Sequence, residues 1–152
     1  MQLTRYTDYS LRVLIYLGVD PERQVTITEI AESYNISRNH LVKVVHNLSG
    51  LGYIRTVRGR GGGMLLARMP EDINVGEVVQ KTEPNFDIVE CFDSDTDGCP
   101  ISSGCALIKP LKLAKQAFID VLASYTVADV VSNRSELVQY LSIDTIGNRR
   151  AK

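Results

Sequence analysis

The chain has 152 residues, 44% of them apolar, so it can form one small domain with a buried core and an appendage. It contains no run of about 18 apolar residues, which excludes the usual membrane-spanning helix. Residues 1–5 lack the apolar region of a secretory signal peptide. We therefore expect a cytoplasmic protein without a membrane partner, whose thiols stay reduced.

Charge is unevenly distributed along the chain, although the net charge is only -1. Residues 1–70 contain nine Lys and Arg against five Asp and Glu, whereas residues 71–110 contain two against nine. A basic N-terminal part can meet the phosphates of a nucleic acid, and the acidic segment must face elsewhere. The distribution therefore indicates a nucleic-acid-binding region followed by a region with another role.

Three helices are predicted in the N-terminal part. The first covers residues 7–18, with apolar residues on one face and Thr7 as its cap. Thr26 begins a short second helix that ends near Ser33, and Ser37 begins a third helix that ends near Ser49. The short break between the second and third helices is typical of a helix-turn-helix.

A β-hairpin is predicted directly after the third helix. Residues 53–57 have the composition of a strand, residues 58–63 form a basic, glycine-rich turn, and residues 64–67 form the return strand. A hairpin in this place is a wing. We therefore predict a mainly α-helical protein with a small β-hairpin, and a winged helix-turn-helix DNA-binding domain over residues 1–82.

The C-terminal part is predicted to contain a loop, a long helix and a short helix. Residues 83–108 show little periodicity and carry all the cysteines. Pro110 suits the first turn of the long helix, and Thr126 with Asp129 predicts a capping box for the short one. These helices occupy residues 109–146, and residues 147–152 are expected to form a flexible tail.

The predicted recognition helix and wing carry side chains suited to DNA. Arg can pair bidentately with guanine and Asn with adenine, whereas Lys and the arginines of a wing contact phosphates or a narrow minor groove. The N-terminal end of such a helix normally meets the bases. A solvated surface would also explain these charges, but the order of helix, turn, helix and basic wing favours DNA. The predicted DNA-binding residues are Ser37, Arg38, Asn39, His40, Lys43, Arg58 and Arg60.

Cys91, Cys99 and Cys105 are the only cysteines, and they lie together in the most acidic stretch of the chain. Structural zinc prefers four ligands, commonly in C-x2-C pairs, and these three cysteines provide neither. A disulfide switch needs only two thiols, so one cysteine would be left over. An iron–sulfur cluster accepts irregular spacing and a non-cysteine ligand. We favour a cluster and keep a disulfide switch and zinc as alternatives. The nearby carboxylates disfavour activated thiol nucleophiles, because negative charge raises a thiol pKa.

Together these features resemble the iron–sulfur winged-helix regulator family, and most closely its nitric-oxide-sensing repressors. The resemblance covers nearly the whole chain. Ile108 stands where the members that regulate cluster biogenesis have a histidine, which argues against that branch. The segments that carry the resemblance are Met1–Thr4, Thr7–Tyr9, Ser37–Lys43, Val57–Gly63 and the three cysteines.

The resemblance implies a homodimer built on the long helix near residues 109–125. It also implies a 4Fe–4S cluster held by the three cysteines, with a fourth ligand from the partner subunit. Asp8 is the matching residue in this sequence, and Arg12, four residues later, can hold Asp8 when the cluster is absent. The other explanation of Asp8 is a first-turn acid favoured by the helix dipole.

The function implied is that of a transcriptional repressor that senses nitric oxide. It binds double-stranded operator DNA as a homodimer while its 4Fe–4S cluster is intact and releases the DNA on nitrosylation. The alternative is a winged-helix regulator that senses iron–sulfur supply or oxidative stress through a 2Fe–2S cluster or a thiol switch. A redox enzyme is disfavoured, because the sequence shows no nucleophile–base pair or substrate-pocket motif.

Overall fold

The computed structural model describes residues 2–59, 61–93, 95 and 97–143. The predicted flexible tail, residues 147–152, lies outside these ranges. The order of elements confirms a mainly helical protein with a small β-hairpin. The elements are α1 (Arg5–Val19), α2 (Ile27–Tyr34), α3 (Arg38–Gly50), β1 (Ile54–Val57), β2 (Gly63–Leu66), α4 (Val75–Thr82), α5 (Ile108–Ala123), α6 (Val127–Val130) and α7 (Arg134–Tyr140), with single 3-10 turns at Pro70–Asp72, Glu90–Phe92 and Ser102–Gly104.

Helix α1 begins two residues earlier than the sequence pattern predicts. Thr4, and not Thr7, is its N-cap, and the Thr4 hydroxyl accepts a hydrogen bond from the Thr7 N–H at 3.3 Å. The Thr4 N–H and hydroxyl both donate to Glu83 Oε1, at 2.7 and 3.1 Å. Thr7 is fully buried. The cap was misassigned because the carboxylate that holds Thr4 comes from the far end of α4.

Helices α2 and α3 form the predicted helix-turn-helix. Thr26 and Glu29 make a reciprocal capping box at the start of α2, which satisfies two backbone donors. Asn35 ends α2 in the left-handed region with a φ of 52°, and the Ile36 N–H donates to Ala31 O at 2.9 Å. Asn tolerates this conformation, so the chain can turn within three residues into α3.

The hydrophobic core lies between α1, the helix-turn-helix and the hairpin. Strands β1 and β2 are antiparallel, with Ile54 opposite Leu66 and Val57 opposite Gly63. Val25, just before α2, exchanges two backbone hydrogen bonds with Met64, which fastens the hairpin to the helices. We call α1–α3 with this hairpin the DNA-binding unit. Its central buried side chains are Val13, Leu14, Leu17, Ile30, Leu41, Val44, Leu48, Tyr53 and Met64.

Helix α5 joins the rest of the fold at its C-terminal end. The Asn74 side-chain amide donates to Ala123 O at 2.6 Å, and the Val75 N–H donates to Tyr125 O at 2.9 Å. Thr126 and Asp129 form the predicted capping box at the start of α6. The structure then adds α7, so two short helices follow α5 where one was predicted. No helix among the described residues is long and apolar enough to cross a membrane.

Candidate nucleic-acid interface and cysteine segment

The start of α3 presents polar side chains to solvent. Its apolar positions, Leu41, Val44, Val45 and Leu48, are buried in the core at the helical period. The opposite side must therefore be exposed. Ser37 is an exposed N-cap whose side chain makes no capping hydrogen bond. The exposed residues of the first two turns include the predicted Arg38, Asn39, His40 and Lys43.

The wing extends beyond β1 as a glycine-rich turn. Arg58 is exposed, and Gly59 and Gly61 have φ values of 109° and 77°, which favour glycine. A Cβ on Gly62 would lie 2.4 Å from Val57 O, so this position excludes a side chain without backbone movement. The predicted contact Arg60 lies outside the described residues.

A groove of about 250 Å³ lies between the start of α2, the recognition helix α3 and the wing. Arg38 lines it together with Thr28 and Thr56, which are both exposed. Hydroxyl groups can donate to phosphate oxygens, so these threonines suit the DNA backbone. Neither threonine is among the residues predicted from the sequence, because Thr is common on exposed strands and helix starts and carries no distinguishing signal there.

Asp8 and Arg12 form a two-point ion pair on α1. Arg12 Nη2 lies 2.8 Å from Asp8 Oδ2, and Arg12 Nε donates to Asp8 Oδ1 at 3.0 Å. The two side chains are 39% and 41% exposed. The predicted pairing is therefore present, in a setting where other groups can reach both side chains.

The Arg12 guanidinium also contacts two aromatic rings. Its central carbon lies 5.8 Å from the Tyr9 ring centroid and 5.7 Å from that of Tyr34, within the range of cation–π attraction. Burial raises the pKa of Tyr34 to about 12, against the lowering effect of the Arg12 charge. Tyr9 in turn lies 6.3 Å from the His40 ring on α3.

These contacts connect Asp8 to the recognition helix through Arg12 and Tyr9. The sequence analysis missed Tyr9 and Tyr34. The i, i+3 spacing of Tyr9 and Arg12 is a helical contact spacing and could have shown the first of them. The contact with Tyr34 depends on how α1 packs on α2, which local spacing does not report.

The cysteine segment, residues 83–107, connects α4 to α5 with little regular structure. Its 3-10 turns contain no buried residue. Local side chains organise the backbone instead: Asp97 Oδ1 accepts from the Cys99 N–H at 3.1 Å. All three thiols are free and half-buried. Within the described ranges, no group of three or more His, Cys, Asp or Glu side chains is arranged to hold a metal ion.

The donor chemistry of this segment nevertheless fits an iron–sulfur cluster. Burial raises the pKa of the Cys91 thiol, and charge at Asp97, Cys99 and Cys105 raises it further. Thiolates are the ligands that iron–sulfur clusters use, and this segment carries three of them. A segment with so little buried surface gains little from packing, and ligation would supply the free energy that orders it.

Helix α5 exposes apolar side chains along its length. None of its residues is buried. Leu113 and Val121 are 62% and 58% exposed, and Tyr125, just after the helix, is 48% exposed. Such a surface on a 16-residue helix suits burial against another protein surface.

An exposed start of α3, a wing that bears Arg58 and an apolar long helix are together typical of a winged-helix transcription regulator, a class of DNA-binding protein. The sequence matches the Rrf2 family, described as "Iron-dependent Transcriptional regulator", over residues 3–133. The chain belongs to this family.

Within the family, the chain is similar to regulators named NsrR. It is 51% identical to the HTH-type transcriptional regulator NsrR of Bacillus subtilis (strain 168) over 144 residues, which cover 94% of this chain and 99% of that protein. The NsrR of Bacillus licheniformis is 48% identical over 143 residues, with 93% and 100% covered.

Solved structures agree with the fold. CymR (YrzC), the global cysteine regulator of B. subtilis, superposes with a TM-score of 0.69 at 25% identity, over 88% of this chain and 98% of that chain. IscR of T. potens superposes with a TM-score of 0.69 at 23% identity, over 88% of each chain, which shows likeness of fold alone.

Proposed function

We propose that the protein is a nitric-oxide-sensing repressor that binds operator DNA as a homodimer while a 4Fe–4S cluster is bound. Residues 1–82 bind DNA, residues 83–108 carry the cluster, and residues 109–146 form the dimer. The observation that supports this proposal best is the set of contacts from Asp8 through Arg12 and Tyr9 to His40. They connect a candidate ligand to the recognition helix.

Cys91, Cys99 and Cys105 would hold the cluster with Asp8 from the second subunit. When bound, the cluster supplies iron that reacts with nitric oxide. Thiolates are soft ligands, whereas a carboxylate is a hard and weaker ligand for iron in such a site. Asp8 is therefore the ligand that leaves most easily, and its exposed ion pair with Arg12 offers it an alternative partner in its own subunit.

The exchange of Asp8 between two partners can move the recognition helix. Arg12 loses its bidentate carboxylate partner when Asp8 would bind the cluster of the other subunit. It regains this partner when Asp8 is released from the cluster. Its contacts with Tyr9 and Tyr34 must adjust each time, and Tyr9 lies against His40. A coupling free energy of about 3 kcal/mol between the two sites would change DNA affinity by roughly 100-fold.

The dimer would place two recognition helices on a palindromic operator. Two copies of α5 can bury Leu113 and Val121 against each other, and a two-fold axis then relates the two DNA-binding units. Symmetric half-sites about one helical turn apart match such a dimer.

Protein purified without oxygen tests the proposal. An operator is first selected from random DNA with the cluster-containing protein, and its affinity is measured before and after addition of nitric oxide. We expect a loss of about 100-fold for the wild type and a smaller response for Asp8→Ala. Iron and sulfide analysis distinguishes 4Fe–4S from 2Fe–2S. Unchanged wild-type affinity after nitric oxide would contradict the proposal.

A second candidate is a regulator of the same fold that senses iron–sulfur supply or oxidative stress through a 2Fe–2S cluster or a thiol switch. The three thiols are free and half-buried, and partly accessible thiols can be oxidised, which supports the thiol switch. A colourless anaerobic preparation whose DNA binding still responds to an oxidant would support this candidate.

A further inference from the structure

Helices α4 and α5 approach each other closely at Gly76. A Cβ on this residue would lie 2.6 Å from the backbone N of Ala123 and 2.7 Å from its Cα, whereas ordinary contact begins at 3.4 Å. The atoms in the way belong to backbone, so no side-chain rotation relieves the overlap. Gly76 therefore sets the distance between α4 and α5.

This contact belongs to a short, well-bonded junction. Besides the hydrogen bonds of Asn74 and Val75, the Val127 N–H donates to Ile73 O at 2.9 Å. Ile73 and Val127 are 0% and 2% exposed. Helix α4 also packs against α1. Any displacement of α5 at Gly76 is thus passed through α4 to the DNA-binding unit, because closely packed interiors do not absorb it locally.

We propose that Gly76 is a positioning residue that sets the operator half-site spacing accepted by the dimer. This inference rests on the proposed homodimer, in which two α5 helices lie at the centre and the DNA-binding units outside. Each unit is connected to its α5 through α4. A side chain at position 76 pushes each unit outward, away from the two-fold axis, and so increases the separation of the two recognition helices.

The expected change in the separation of the recognition helices is smaller than the rise of one base pair. It should still be measurable as a change in operator affinity. Base pairs rise by about 3.4 Å along DNA. A displacement below that rise does not move the optimal spacing by a whole base pair, but it changes the relative affinity for neighbouring spacings. For Gly76→Ala we expect the affinity ratio of the next longer spacing to the wild-type optimum to rise about five-fold or more.

The experiment uses operators with identical half-sites whose centre-to-centre spacing varies by one base pair. Anaerobically purified wild type and variants are compared across the series, with cluster absorbance and dimer mass as checks. Gly50→Ala is the matched control, because a Cβ on Gly50 has nothing within 4 Å, and its spacing profile should equal that of the wild type. A folded Gly76→Ala dimer with the wild-type spacing profile would overturn the inference.

Asn74→Asp provides a second test that does not depend on a glycine site. It keeps the side-chain oxygen that accepts from the Glu77 N–H and loses the amide that donates to Ala123 O. The loosened junction should lower the affinity ratio between the optimal spacing and its neighbours by at least about five-fold. An unchanged profile for this variant counts against the inference even where Gly76→Ala does not fold. If the wild-type protein binds an operator with one half-site as tightly as any operator with two half-sites, the homodimer proposal itself fails.

Discussion

The contact between Thr4 and Glu83 supports the start of α1, and Glu83→Ala removes it. One carboxylate oxygen accepts from the Thr4 N–H at 2.7 Å and from the Thr4 hydroxyl at 3.1 Å. A hydrogen bond to a charged group contributes about 1.5–3 kcal/mol, and the substitution also leaves a part-buried N–H without this partner. Since the site is only partly buried, we expect the free energy of unfolding to fall by about 2 kcal/mol.

Urea denaturation at a fixed protein concentration measures this loss in the metal-free protein. For a chain of this size the melting temperature should fall by about 4–8 °C. Glu83→Gln keeps the acceptor oxygen without the charge and should lose about half as much. Hydrogen exchange at the Asp8 amide, which donates to Thr4 O at 3.0 Å, should become faster. A loss below about 0.5 kcal/mol for Glu83→Ala would refute the reasoning.

Three further expectations concern the DNA-binding face, the α5 surface and Tyr34. Lys43→Ala should weaken binding to all DNA sequences and reduce the slope of log affinity against log salt concentration by about one. Arg38→Ala should cost about 1–3 kcal/mol of binding free energy and relax the preference for one base. Equal effects on specific and random DNA for both variants would contradict this. Leu113→Glu places a charge on the exposed α5 surface and should give monomers by light scattering; an unchanged mass would count against the α5 dimer. Tyr34 stays neutral in the fold because burial raises its pKa from 10.0 to about 12, so its contribution to stability is full below pH 10 and is lost as pH rises through 12. Burial also raises the pKa of Tyr6 and of Tyr53, so an ultraviolet titration should show several late tyrosines. Tyr34→Phe should reduce the late absorbance change by one tyrosine, and an unchanged late step would contradict this assignment.

Local patterns predicted the helical part of the fold well. Thr26 with Glu29 and Thr126 with Asp129 form the capping boxes that their spacing indicates, since a capping box needs only residues three apart. The apolar period of α3 likewise placed its buried side correctly. The Asp8–Arg12 pair was predictable for the same reason, because residues four apart on a helix are neighbours.

Long-range contacts explain what the sequence could not predict. Thr7 is a residue type that often caps helices, but Thr4 is the N-cap because Glu83 binds it. Thr4 and Glu83 are 79 residues apart in the sequence, so local spacing does not report their contact. The contacts of Tyr34 with Arg12 and of Tyr9 with His40 depend on tertiary packing. The roles of the cysteines and of Asp8 stay predictions, because the proposed site draws on two subunits and no local spacing within one chain reports such a contact.

The cysteine segment begins and ends on two helices that pack directly against each other. The packing of α4 against the C-terminal end of α5 fixes these two helices, whatever the segment contains. Loop closure depends weakly on length, and doubling a loop costs only about 0.6 kcal/mol. Insertions, deletions and new ligand spacings between α4 and α5 should thus be tolerated by the rest of the protein. The length and composition of this segment can therefore change while the packing of the DNA-binding unit stays the same.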